Sequence, residues 1–202
     1  MLLSWFNNTE EGYTRPERLA RWPNLAMPLS RAMIEMWKEV PAKEFGSFTK
    51  VSHDNGKTWS ELRKYPVTAP HGPIRRKDGS FFYVGTESLS DLSVPKEAVL
   101  AVESHDEGES WSLVSILPVP AQHEGRKIFS VCEPHCVDFG DGEVLAAIRC
   151  LIDDNENDTA DPRNMTMFTC RSYDSGKPGA NLSFSMIALP LRLIFSCTPP
   201  GR

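Results

Sequence analysis

The sequence predicts an all-β chain forming part of a bladed ring, preceded by one helix. Three observations predict it: short β-rich runs broken by Gly, Asp and Asn, a turn motif that recurs, and about four strands of sequence per recurrence. Ser52-His53-Asp54-Asn55-Gly56-Lys57-Thr58-Trp59 returns as Ser104-His105-Asp106-Glu107-Gly108-Glu109-Ser110-Trp111. A third copy begins at Ser172-Tyr173-Asp174-Ser175-Gly176-Lys177 and then breaks off. The copies of this S-x-D-x-G-x-[ST]-W pattern start 52 and 68 residues apart. Four strands per repeat is the content of one β-propeller blade, so the chain supplies about three blades.

The elements follow in chain order. From Leu29 to Val40, apolar residues fall at Leu29, Ala32, Met33, Met36, Trp37 and Val40. That is the spacing of an amphipathic helix, with Pro28 suited to its start, packed on the rest of the domain. Residues 1–44 are therefore read as an N-terminal segment and 45–177 as the blades. Residues 178–202, which contain no Asp or Glu, are read as an atypical tail.

A β-rich run precedes each box, at 45–51, 99–103 and 165–171, and a further hairpin lies between boxes, at 73–85 and 137–149. Within a box the Asp accepts hydrogen bonds from its own turn and the Gly supplies a positive φ. The Trp offers a large apolar anchor against the sheet.

Composition bounds the function. Of 202 residues 40% are apolar and 24% charged, an ordinary balance for a chain with a real core, while 13 Gly and 16 Pro imply many turns. A net charge of -5 argues against holding nucleic acid or an anionic membrane surface. The five cysteines, Cys132, Cys136, Cys150, Cys170 and Cys197, are an odd count without a disulfide frame, so reduced thiols are expected. The N-terminus has no basic signal region, and the apolar stretch from Met186 to Cys197 is too short to span a bilayer. The default expectation is cytoplasmic, in which case the sequons at Asn7, Asn157, Asn164 and Asn181 have no consequence.

The repeated boxes resemble those of Asp-box, or BNR-repeat, proteins, and 45–176 is similar to part of a sialidase-family six-bladed propeller. In that family the boxes lie on blade-edge turns away from the active site, which implies a structural role here. Ala69-Pro70-His71-Gly72-Pro73-Ile74 before Lys77-Asp78-Gly79 resembles the family's strand entry and turn. Cys132-Glu133-Pro134-His135-Cys136-Val137, followed by Gly140-Asp141-Gly142 and Ala146-Ala147-Ile148-Arg149, resembles its catalytic hairpin.

The spacing of Glu133 and Arg149 has its own geometry. The turn centred on Asp141 lies eight residues from each, so a three-residue loop makes them direct cross-strand neighbours. A two-residue Asp141-Gly142 turn shifts that pairing by one. Such a pair also suits a plain cross-strand salt bridge.

The resemblance implies a glycoside hydrolase acting on terminal sialic acid or a related acidic sugar. A sialic acid carries a carboxylate on its anomeric carbon, which a guanidinium binds bidentately. Sialidases use a tyrosine nucleophile, and a glutamate must take the phenol's proton. By resemblance Glu133 is that base and Arg149 one of three arginines around the carboxylate. His71 and His135, each at a strand entry, are candidate pocket residues for the sugar.

The family's first arginine and its acid aspartate have no match. Its third arginine and tyrosine fall beyond Arg202 by spacing, and Tyr83 and Tyr173 sit in a strand and in a box. The isolated chain is therefore expected to hydrolyse little, and an unfinished ring to self-associate through unpaired strand edges.

No cofactor is implied. Cys132, His135 and Cys136 are three donors on an alternating strand, too few for a tetrahedral zinc site. The acidic run 153–158 lacks the ligand spacing of a calcium loop. The alternatives to hydrolysis are a non-catalytic Asp-box propeller that binds glycans or proteins, and a structural remnant.

Overall fold

The computed structural model describes residues 1–7, 35, 46–87, 94, 98–153, 165–177 and 183–187. Its strands form three antiparallel sheets. In the first, β1 (Leu2–Asn7) pairs with β2 (Gly46–Val51) and β2 with β3 (Arg63–Tyr65). The second runs β4 (Val67–Thr68), β6 (Phe81–Glu87), β7 (Val99–Ser104), β8 (Ser112–Ile116), with β5 (Ile74–Arg75) also on β6. The third contains β9 (Gln122–His123), β10 (Arg126–Gly140), β11 (Glu143–Asp153), β12 (Met165–Ser172) and β13 (Ser183–Ile187), each paired with the next. Each box follows the corresponding strand of its sheet: β2, β7 or β12. The chain is all-β, a partial propeller of three consecutive blades.

Two boundaries differ from the sequence reading. Leu2–Asn7, placed in the N-terminal segment, is a strand of the first blade, and Ser183–Ile187, placed in the tail, pairs with β12. Neither is visible locally, because each strand is identified by its partner. Of the helix expected over 29–40 only Glu35 is described, and it is helical; the acidic run beyond Asp153 lies outside the described residues.

The boxes close on themselves as their residue types dictate. Ser52 Oγ donates to Asp54 at 2.8 Å and accepts the Gly56 N–H at 2.8 Å, while Asp54 accepts the Thr58 N–H at 2.9 Å. Ser104, Asp106, Gly108 and Ser110 repeat the arrangement. In the third box Gly176 N again donates to Ser172 Oγ, at 2.8 Å, but Pro178 stands where Thr58 and Ser110 offer an N–H. The turn also requires positive φ at the residue before the glycine: 59° at Asn55, 60° at Glu107 and 66° at Ser175.

Each later box packs on the blade before it. A Cβ on Gly108 would lie 2.9 Å from Leu2 Cδ1, and one on Gly176 would lie 3.0 Å from Phe82; with φ of 91° and 84° as well, both positions favour glycine. Trp111 lies edge-on to Tyr65 with ring centroids 4.8 Å apart. Trp59 departs from the expected anchoring: it is 37% exposed. Strand β6 buries both faces, as a middle blade must. Its Tyr83 joins Tyr65, Val67 and Leu100 on the first-blade side, and its Phe82 and Val84 join Cys136, Ile148 and Phe168 on the other.

Candidate active site at the open end of the blades

The third-blade hairpin turns at Asp141-Gly142, with φ of 55° and 86°, a two-residue loop of the kind that matches strand twist. A bulge between Asp138 and Gly140 then restores the register His135↔Ala147, which if continued would pair Glu133 with Arg149. It does not continue. Pro134 has no N–H for the ladder, Glu133 adopts φ of 51°, and a second bulge sets Cys132 opposite Arg149. The expected direct cross-strand pairing is therefore corrected by one residue.

The two side chains nevertheless meet. Arg149 Nη1 lies 2.9 Å from Glu133 Oε2, with the side chains 44% and 42% exposed. The bulge cancels the normal alternation, so Cys132 and Glu133 both reach Arg149, whose Nε donates to Cys132 Sγ at 3.0 Å.

The second blade is interrupted at the same level. Phe81 pairs with Ser104 of one box and Val144 with Ser172 of the next, so Thr86 and Arg149 stand five residues along equivalent strands. Thr86 still pairs with Thr68 of β4, and opposite the residues just before it, 83–85, the inner strand breaks between β4 and β5, at Ala69-Pro70-His71-Gly72-Pro73, with Gly72 at φ of 69°. Prolines thus open the inner strand of both blades at one end. Five strand residues carry Arg149 about 17 Å from the box end.

His71 and His135 come together across this break, with ring centroids 5.1 Å apart at 53°. His135 Nδ1 is buried without a hydrogen-bond partner. Burial, and secondarily His71, push the His135 pKa down, so the ring is neutral at pH 7. Glu133–Arg149 and His71–His135 therefore form two contacting pairs, joined through the short segment 133–135.

Neither Tyr83 nor Tyr173 takes part. Tyr83 is buried, its hydroxyl donates to the Ala69 carbonyl and accepts the Ala69 N–H, and burial pushes its pKa up to about 12. Tyr173 is 54% exposed on the third box, at the other end. Arg76, which sequence reasoning passed over, contacts Asp138, Glu103 and the Ser175 carbonyl and lies over the Phe82 ring. Only its place in the Arg75-Arg76-Lys77-Asp78 turn could have drawn attention to it.

A small cavity, partly open to solvent, lies between the second and third blades and is lined by Phe82, Val84, Leu117, Val144, Ala146 and Cys170 among others. It is apolar, and none of the four candidate residues lines it. Among the described residues no helix is long and apolar enough to cross a membrane.

No family model matches the chain, and no curated protein matches it. A protein of unknown function from Dyadobacter fermentans is similar over 74% of this chain and 40% of that one, at 18% identity and a TM-score of 0.49. The α-L-arabinofuranosidase of Fusarium graminearum, complexed with an iminosugar inhibitor, is similar over 71% of this chain and 40% of that one, at 20% identity and a TM-score of 0.44. The same GH93 enzyme with arabinobiose gives a TM-score of 0.42. The chain thus spans about 40% of the length of each of these structures.

Proposed function

We propose that the chain is part of a sialidase-like glycoside hydrolase acting on terminal sialic acid or a related acidic sugar. The observation that carries this reading is the Glu133–Arg149 pair, held at 2.9 Å on a strained bulge and half open to solvent. A carboxylate and a guanidinium so placed offer a base and an anion-binding fork side by side. Arg149 receives the sugar carboxylate, and Glu133 takes the proton of a phenolic nucleophile. His71 and His135 contact the sugar beside them, His135 as a neutral ring.

Tyr83 is buried with its hydroxyl tied to Ala69, and Tyr173 stands on the third box, so the reading assigns this chain the base and one carboxylate-binding arginine. That same observation favours a second reading, a non-catalytic propeller that binds an acidic glycan through Arg149. Both readings require a carboxylate ligand.

Titration of the 202-residue protein with N-acetylneuraminic acid, its methyl ester and arabinose, followed by NMR, tests the shared requirement. The acid is expected to bind, with the ester and Arg149→Ala each weakening the interaction about tenfold, the scale of a charge-assisted hydrogen bond. Equal binding of the ester or of arabinose, or unchanged binding by Arg149→Ala, refutes it. In a longer form of the chain the two readings separate on a fluorogenic sialoside: the hydrolase turns it over and loses that turnover in Glu133→Gln, whereas a binding propeller binds the acid and shows no turnover.

A further inference from the structure

The proposed site leaves Cys132 without a role, yet Cys132 is the residue paired with Arg149 in the ladder. Its Sγ accepts the Arg149 Nε–H at 3.0 Å, and its thiol lies 3.7 Å from the Arg149 carbonyl oxygen, to which it donates. On the other side of the guanidinium, Nη1 meets Glu133. Nη2 takes part in neither contact.

An arginine side chain is long and rotamer-rich, and its planar fork binds a carboxylate well only when the plane is already set. One contact at Nη1 lets the plane swing about that point. A second contact at Nε fixes it. We propose that Cys132 is a positioning residue that holds the Nε edge of Arg149, so that the remaining edge is presented to an anionic ligand. This rests on the binding role proposed for Arg149.

The chemistry suits a neutral thiol. Burial pushes the Cys132 pKa up, against the opposing effect of Arg149, so the group keeps its S–H and its sulfur lone pair together. A thiol can then donate to the backbone carbonyl and accept from Nε at once. A hydroxyl can do the same, and an isopropyl group of similar volume can do neither. Cys132→Ser and Cys132→Val therefore separate hydrogen bonding from packing, and valine is at home in a strand.

The experiment uses the whole chain, with the Arg149 Nε–H resonance assigned by its loss in Arg149→Lys. In the parent this proton is expected to exchange slowly with solvent. In Cys132→Val its exchange speeds up at least about tenfold, and affinity for N-acetylneuraminic acid falls about fivefold, the worth of one ordinary hydrogen bond. Cys132→Ser returns both to within about twofold of the parent. Unchanged Nε–H exchange in Cys132→Val overturns the positioning role. A parent with a protected Nε–H that binds no carboxylate overturns the reading of Arg149 beneath it, while supporting the hydrogen bond itself.

Discussion

Arg76 Nε lies 2.8 Å from Asp138 Oδ2, joining the second-blade turn to the inner strand of the third blade. The Arg76 side chain is only 9% exposed. Its Nη1 lies 3.3 Å from Glu103, its Nη2 donates to the Ser175 carbonyl at 3.0 Å, and its guanidinium rests 3.9 Å above the Phe82 ring. One guanidinium thus ties together the β5–β6 turn, β7, β10 and the third box.

Removing it should loosen the blade interface. Arg76→Ala leaves Asp138 partly buried and unpaired, and is expected to cost about 3 kcal/mol in urea denaturation. A loss below about 1 kcal/mol would show that solvent replaces the guanidinium at little cost.

The box aspartates set the acid limb of stability. The hydroxyl of Thr58, then its N–H, holds Asp54 at about 2, and Ser110 does the same for Asp106, against an ordinary 3.8. Folded values below the unfolded ones mean that this stabilisation is complete above about pH 4 and is lost as pH falls towards 2. Asp106→Asn should therefore melt below the parent at neutral pH, with the gap closing between pH 4 and 2. A gap independent of pH would exclude ionisation as its source.

Glu133 occupies a backbone conformation that costs a non-glycine residue on the order of 1 kcal/mol, at φ of 51°. Glu133→Gly should relieve that strain while losing an exposed ion pair of similar or smaller worth, leaving stability within about 1 kcal/mol of the parent. Glu133→Val, whose branched side chain resists positive φ, should be about 2 kcal/mol less stable than Glu133→Gly. Equal melting temperatures for the two variants would mean that the bulge is not strained.

Thiol reactivity should divide sharply. Burial pushes Cys136 up to about 12 and both Cys150 and Cys170 up to about 11, and all three are at most 5% exposed. Peptide mapping after brief iodoacetamide treatment at pH 8 should find Cys132 modified ahead of those three, which react only on unfolding. Early labelling of Cys170 would reveal opening of the interblade cavity that it lines.

Much of the architecture was legible because its devices are local. A box is closed by hydrogen bonds spanning four residues or fewer, so Ser52, Asp54, Gly56 and Thr58 announce it wherever they stand at that spacing. The β10–β11 hairpin was legible for the same reason, since Asp141-Gly142 states its own turn. The strand Leu2–Asn7 was not, because its partner lies at Gly46–Val51 and no short-range pattern records the pairing. The approach of Glu133 to Arg149 could be counted, but not its register, because a bulge consumes a residue that counting assumes is paired.

By itself, then, the sequence determined the turns, the strand-rich texture and the repeat, all consequences of neighbours within a few residues. Tertiary structure alone decided that Cys132 faces Arg149, that Arg76 bridges two blades, and that His71 and His135 stand ring to ring across them. Those relationships depend on where separate sheets come to rest against one another. That placement is set by the summed burial of interblade faces, and no single residue encodes it.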